Sequence, residues 1–285
     1  MKPPVANQNA PTARAVEPRK TSVSLPYIDR LLAQLEGEHL AYRRCFGRHV
    51  HWGYWPDPAS AAHTPDDFAA AAERLTDEIC TVAGVHDGQR ILDVGCGFGG
   101  TIARLNERLA RVDLIGLNID DRQLTRAREM VGPRPGNCVR FQLGDAGALP
   151  FGEACFDVVL AVESIFHFRD RLSFLHEARR VLRPGGCLAL SDFVPVRYVN
   201  FRSSSFYGPI NLRCSAAVYR RLAAAAGLAP RIQRDVTAET LPTYRFLRIL
   251  EHLSQAPLSV RVQTRLLEGL TRIRFLRYMI LSFAG

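Results

Sequence analysis

From about residue 89 the chain alternates between short apolar runs and segments with helical spacing. Arg90–Val94, Asp113–Asn118, Val139–Leu143, Phe156–Val162 and Gly186–Phe193 read as strands. Between them Gly100–Leu109, Asp121–Val131 and Arg171–Leu182 read as helices. Strands that are continuously apolar are buried on both faces, as in a parallel sheet. The alternation predicts an α/β fold with a mostly parallel, doubly wound sheet that binds ligands at the carboxyl ends of its strands.

Outside this block the pattern is more helical. Tyr27 to Phe46 repeats apolar positions at Ile28, Leu31, Leu32, Leu35 and Leu40, with His39 on the same stripe. An aromatic loop, His49-Val50-His51-Trp52-Gly53-Tyr54-Trp55-Pro56, comes next. Thr64-Pro65-Asp66-Asp67 then has the cap, early proline and acidic first turn of a helix start. That helix runs to Ala83, with Phe68, Ala72, Leu75, Ile79 and Val82 on one face. Beyond Val194 the pattern loosens. Val196–Leu212 reads as loop or short helices, Ser215–Ala226 as a helix stopped by Gly227, and Ala229–Val236 as a strand. Thr243 to Ser282 reads as mainly helical, broken near Pro257. The expected organisation is a disordered tail over 1–22, a helical lid segment over 23–84 and a ligand-binding core over 85–195. Residues 196–285 then supply a substrate cap with the remaining core strands and helices.

Composition narrows the class. Of 285 residues, 47% are hydrophobic, enough for a sizeable core. No apolar run approaches the ~20 residues of a membrane span, and the first residues lack the apolar stretch of a secretory signal. Stable membrane insertion is therefore not expected. Seven scattered cysteines form no CxxC pair, which argues against a zinc site or disulfide framework and for a reduced, cytoplasmic protein. The formal charge of +9 comes almost wholly from arginine. It marks either a basic face or a compositional bias, and no Lys/Arg block with interleaved aromatics points to nucleic acid. Arg261, Arg265, Arg272, Arg274 and Arg277 alternate with Leu266, Leu267, Leu270, Ile273, Phe275 and Leu276. That pattern fits an amphipathic helix, read as a cap helix with a solvated basic face or as one that meets a membrane or anionic substrate.

The chemistry-bearing signal is Ile91-Leu92-Asp93-Val94-Gly95-Cys96-Gly97-Phe98-Gly99, between a strand and a helix. Glycines there allow a tight turn and close approach of a ligand, and the helix aims its free N–H groups at the loop. Such turns also hold dinucleotides. Asp93, two residues before the first glycine, would repel a pyrophosphate but can orient an ammonium group. It argues for a zwitterionic sulfonium cofactor. Gly144-Asp145-Ala146 follows the third strand; its carboxylate can accept from an exocyclic adenine amine, with the Ala146 N–H left for a ring nitrogen. Alone, Asp145 could equally be a turn residue.

Together with Leu149-Pro150-Phe151, Phe156-Asp157 and Val181-Leu182-Arg183-Pro184-Gly185-Gly186, these segments resemble the ordered motifs of class I S-adenosylmethionine-dependent methyltransferases over about 85–195. His51-Trp52-Gly53-Tyr54-Trp55 and Val162-Glu163-Ser164 are similar to the small-molecule branch. That branch contains sterol, tocopherol and prenyl-diphosphate C-methyltransferases and natural-product O-methyltransferases. The resemblance implies a Rossmann-like fold, S-adenosyl-L-methionine as cofactor, S-adenosyl-L-homocysteine as product, and a small-molecule acceptor in specialised or isoprenoid metabolism. It implies cofactor contacts from Asp93, Gly95, Cys96, Gly97, Ile119, Asp145, Ala146 and Glu163. One departure is Asn118, where many class I enzymes carry an acid for the ribose hydroxyls. Asn118, assisted by Gln123, is the expected substitute, or else a turn residue at a strand end.

Methyl transfer is an in-line displacement, and much of its catalysis comes from positioning in a dry pocket. The end of the fourth strand, Val162-Glu163-Ser164-Ile165-Phe166-His167-Phe168, should lie beside the methyl group. His167 is the natural general base for a hydroxyl acceptor, or a structural histidine between Phe166 and Phe168. Glu163 has two alternative readings: it serves alkene C-methylation by stabilising a cation, or it holds the N-terminal loop. Tyr54 and Trp55 are expected to close over the cofactor. His51, Phe168, Phe193, Phe206 and Tyr207 are expected on the substrate side. No acid cluster suggests a metal. Homo-oligomerisation stays open, and remoter readings are a nucleic-acid methyltransferase or a non-catalytic binding protein of the same fold.

Overall fold

The computed structural model describes residues 26–36, 40–197, 202–203, 210–254 and 256–285. The tail expected over 1–22 lies outside them. Five strands lie parallel: β1 (Arg90–Val94), β2 (Asp113–Asn118), β3 (Cys138–Leu143), β4 (Phe156–Ala161) and β5 (Leu182–Pro195). A two-stranded ribbon, β6 (Arg202–Ser203) and β7 (Ile210–Asn211), stands where the sequence suggested loop or short helices. The sheet is completed by β8 (Ala229–Asp235) and β9 (Leu276–Ala284) in the order β3-β2-β1-β4-β5-β9-β8, with β9 antiparallel to both neighbours.

Alternation along each strand builds a core on both faces. Leu92, Val94, Val159, Leu188 and Leu190 point to one side, against Phe174, Leu175 and Ala178 of α6 (Arg171–Val181). Ile91, Val158, Leu160, Ala189 and Ile280 point to the other, against Leu75 and Ile79 of α3 (Pro65–Ala83) and Ile102 of α4 (Gly100–Arg108). The start of α3 is built as its sequence implies: Thr64 accepts from the Asp67 N–H, and Pro65 occupies the first turn. Gly84, in the left-handed conformation at φ 69°, closes its other end. The helices α1 (Pro26–Glu36) and α2 (Leu40–Phe46) precede it, and Leu31 and Leu35 of α1 pack on Phe98 of the glycine loop. His39 falls outside the described residues. After β2 comes α5 (Asp121–Met130), and after the ribbon α7 (Ala216–Ala225). The short α8 (Thr237–Thr240), α9 (Pro242–Leu253) and α10 (Leu258–Arg272) follow β8.

One expectation is corrected. The helical reading of Thr243 to Ser282 holds for α9 and α10 but fails at 276, where β9 begins. Periodicity cannot separate a doubly buried strand from a buried helix, and Leu276 to Phe283 is apolar on both faces. The boundary is marked by Arg274, whose φ of 58° ends helical continuation. As a central strand, β9 is intolerant of truncation. Ile280→Ala, at a fully buried position, should cost about 2–5 kcal/mol in urea unfolding. Ile273→Ala, at a position 73% exposed, should stay within about 0.5 kcal/mol.

Candidate active site

The turn from β1 into α4 forms one wall of a crevice. Gly95 and Cys96 donate their N–H groups to Leu117 O at 2.7 and 3.1 Å, which ties the turn to β2. Gly95 has φ 80°, and a Cβ there would lie 2.4 Å from the Ser164 side chain. Only glycine lets β1 and the segment after β4 approach so closely. Above this turn a cavity of about 430 Å³ opens at the carboxyl ends of β1 to β4. From β1 and its turn, Asp93, Gly95, Cys96 and Gly97 face it. From β2 and α5 come Asn118, Ile119 and Gln123, and beyond β3 come Asp145 and Ala146.

Asp93 is the electrostatic anomaly. It is 1% exposed, and neither carboxylate oxygen has a hydrogen-bond partner among the described residues. Burial pushes its pKa up to about 7. An unpaired buried carboxylate is costly, and such a group either takes up a proton or awaits a cation. Asn118 is oriented differently: its Oδ1 accepts from the Asp120 N–H at 3.1 Å, which leaves the amide as donor. Asp145 accepts from the Gly147 N–H at 2.8 Å.

Glu163 stands where a second cavity, of about 470 Å³, meets the first. Its φ is 46°, a strained value for a side-chain-bearing residue. The strain is held by neighbours. Its N–H donates to Ser191 Oγ at 3.0 Å, while Oε1 accepts from the Trp52 N–H at 2.7 Å and from Tyr278 Oη at 2.5 Å. Burial pushes its pKa up to about 8 against the lowering effect of those two donors. Val50, His51, Glu163, Phe166 and His167 line both cavities, so the two chambers communicate past these side chains. The second chamber is aromatic at this end. The Trp52 ring lies 5.7 Å from Tyr278, nearly parallel, and meets Phe193 and Tyr244 edge-on at 4.8 and 4.6 Å.

Residues 92–190 match the methyltransferase domain family. Over 153 residues the chain is 41% identical to methyltransferase GfsG of Streptomyces halstedii, covering 53% of each protein. Over 201 residues it is 31% identical to (+)-O-methylkolavelool synthase of Herpetosiphon aurantiacus, covering 69% of each. The chain belongs to the class I S-adenosylmethionine-dependent methyltransferases. It spans about half the length of the first relatives it matches. Its fold is shared with the [4+2]-cyclase SpnF, at TM-score 0.72 and 24% identity over 91% of this chain and 93% of that one. It is shared also with geranyl diphosphate C-methyltransferase of Streptomyces coelicolor A3(2), at 0.69 and 19% over 92% and 98%.

The first cavity fits the family's cofactor. An orphaned buried carboxylate, a backbone cradle too tight for a Cβ at Gly95, and amide and carboxylate groups farther along suit a zwitterionic nucleoside. Among the described residues no group of three or more His, Cys, Asp or Glu is placed to hold a metal ion, and no helix is long and apolar enough to cross a membrane.

Several expected methyltransferase site residues lie elsewhere. Tyr54 and Trp55 do not line the cofactor cavity. Tyr54 Oη accepts from Arg234 at 2.9 Å, and Trp55 Nε1 donates to Asp67 at 3.0 Å, both rings being buried beside α3. Val50 and His51 of the same loop line the chambers instead. His51 lines both, but its nitrogens are committed. Nδ1 donates to Trp52 O at 2.9 Å and Nε2 accepts from Thr76 Oγ1 at 3.1 Å. Burial pushes its pKa down to about 3, so it offers a neutral ring rather than a charge. Phe168 faces the cofactor cavity and not the second chamber, its ring 4.9 Å from Phe174. Phe193 lines the second chamber as expected. Phe206 and Tyr207 fall outside the described residues. The basic C-terminal helix is a cap: α10 turns Thr264 and Leu267 into the second chamber and leaves Arg261 and Arg265 exposed.

Sequence reasoning missed Tyr278, because the strand carrying it was read as helix, and Ser191, which stands on a correctly read strand but belongs to no motif. It also passed over Trp52, whose backbone and ring both reach the junction. The arrangement has a spectroscopic consequence. Trp52 donates to Glu163, so its emission should report the acid titrating, with a midpoint near pH 8 in the ligand-free protein. Glu163→Gln should abolish the transition. Tyr278→Phe removes a donor that favours the ionised form and should raise the midpoint by about one pH unit.

Proposed function

We propose that this methyltransferase transfers a methyl group to a small, largely apolar acceptor held in the second chamber. The observation that carries this reading is the pair of communicating cavities, one holding an orphaned carboxylate and the other walled by aromatics, with Glu163 and His167 between them. When bound, S-adenosylmethionine supplies an electrophilic methyl group on a sulfonium. Asp93 receives the ammonium end, with Gly95, Cys96 and Gly97 shaping the backbone around it. Asn118 donates to a ribose hydroxyl, with Ile119 and Gln123 beside it. Asp145 and Ala146 take the adenine edge. The aromatic wall excludes water, which keeps the acceptor as the competent nucleophile.

O-methylation with His167 as base is the favoured chemistry. His167 sits on a one-turn 3₁₀ helix, Ile165–His167, and faces both chambers. In the ligand-free protein burial pushes the Glu163 pKa up to about 8, whereas a bound sulfonium lowers it, so the charge of this acid during transfer is set by the cofactor. The C-methylation reading keeps one supporting observation: Glu163 is fixed by two donors on Oε1, so its other oxygen is directed by the fold.

Two measurements test the reading. Calorimetry with S-adenosylhomocysteine should show binding that weakens by up to about tenfold per pH unit below 7, because Asp93 must shed its proton to accept an ammonium. Asp93→Asn should lose that slope together with about 30- to 1,000-fold in affinity. A folded native protein that does not bind S-adenosylhomocysteine would sink the proposal. In turnover assays with an alcohol or phenol acceptor, His167→Ala should lose about 100- to 10,000-fold in kcat. Full retention of rate would remove His167 as the base.

A further inference from the structure

The second chamber has two unlike ends. One is the aromatic junction at Trp52, Glu163 and His167, where the chambers meet. The other lies farther along α9. Tyr244, packed on Trp52, marks the junction end, and Glu251 follows it by seven residues, about 10 Å at ~1.5 Å per residue. Glu251 is buried and lines the chamber, held by the hydroxyl of Thr264 on α10. Ser254 and Thr264 line the same end. Gln34 of α1 lines the same chamber, and its Oε1 is buried without a hydrogen-bond partner among the described residues. The walls between the two ends are apolar, with Phe46, Leu247 and Leu250 among them.

Neither Glu251 nor Gln34 serves the cofactor, and neither completes a structural ion pair in the described residues. Acceptor groups at the end of an apolar chamber select a ligand that brings donors to them. The donor's charge can be argued. Burial pushes the Glu251 pKa up, which disfavours a bare carboxylate, yet Arg248, Arg261 and Arg265 all act on its charge. Arg248 is committed to Glu268, and Arg261 and Arg265 are exposed to solvent, so burial decides: it disfavours the carboxylate that an ammonium would need and leaves a neutral hydroxyl as the fitting partner.

Resting on the methyl-transfer reading above, we propose that the end of the second chamber between α9 and α10 is a hydroxyl-recognition subsite built on Glu251. The acceptor is then an elongated apolar molecule that carries a second hydroxyl group at the end remote from the atom that is methylated. The subsite sets the register of the acceptor along the chamber, so that the hydroxyl to be methylated arrives beside His167 and others do not.

The chamber contains its own reporter. The chain has two tryptophans; Trp52 lines the chamber, and Trp55 is buried against Phe68. With the protein saturated by S-adenosylhomocysteine, tryptophan emission is titrated with three probes of matched length. They are decanol, the decanediol with a hydroxyl at each end, and the amino alcohol that replaces one of those hydroxyls by an amine. The diol should bind about tenfold more tightly than decanol, and more tightly than the amino alcohol. In Glu251→Leu the diol preference over decanol should vanish. In Glu251→Gln, which keeps the shape and one acceptor oxygen, it should fall to roughly threefold. Equal binding of diol and decanol by the native protein, or a preference that survives both substitutions, overturns the subsite. Tightest binding of the amino alcohol overturns its assignment to a hydroxyl. Because S-adenosylhomocysteine binding is measured first, failure of the methyl-transfer reading is seen separately, as the absence of that step.

Discussion

The junction depends on one carboxyl group held in a conformation it would not adopt alone. Glu163 follows β4 with a positive φ, and a residue with a side chain remains there only when its surroundings over-determine it. Three elements do so. Ser191 of β5 takes its N–H, Tyr278 of β9 donates to its side chain, and Trp52 of the N-terminal loop donates a backbone N–H to the same oxygen. The last of these is also what fastens the loop over the cofactor cavity, since Val50 and His51 precede Trp52 and line it. Loop position, chamber boundary and acid titration are thus coupled through one side chain.

Behind that junction, strand alternation divides labour along β5. Ser191 and Phe193 point to one face, the first supporting Glu163 and the second walling the chamber. Asp192, between them, points to the opposite face and meets Arg171 at 2.8 Å in a fully buried ion pair, with Tyr219 of α7 donating to the same oxygen. Arg171 also donates to Asn211 O of the β6–β7 ribbon at 2.7 Å, and Asn211 lines the cofactor cavity. A buried pair of this kind contributes little net stability compared with apolar packing, while removal of one partner leaves a costly lone charge. Its consequence here is geometric. It fixes the register of α6, α7 and the ribbon against the strand that carries Ser191 and Phe193.

The strand-helix alternation over 90–194 was legible because each parallel strand is a short apolar run bounded by polar turns, and α3 before it because Thr64 announces a helix start. The cofactor cavity was legible for a related reason: a glycine loop, an acid and a Gly-Asp-Ala segment are local signals that need no knowledge of the rest of the chain. The substrate side was not. Tyr278 lies 115 residues from the Glu163 it contacts, on a strand whose apolar run is as compatible with a buried helix. Tyr54 and Trp55 were misplaced for the opposite reason. Aromatic residues in a loop look like ligand contacts, but α3 offers them a dry face, and Asp67 of α3 and Arg234 of β8 supply partners for Trp55 and Tyr54.

The two misreadings have a common physical origin. A cofactor that is the same for every member of a family can be held by a contiguous, recognisable segment. The second chamber is lined instead by elements distant in sequence: α1, α2, the loop at 50–52, β5, α9 and α10. What such elements share is not a motif but an order of packing. Trp52 is placed by Tyr278 and Tyr244, Tyr244 by α9, and α9 by the strands that precede and follow it. The antiparallel β9 lines neither chamber and reaches their junction only through Tyr278, which donates to Glu163 and stacks on Trp52.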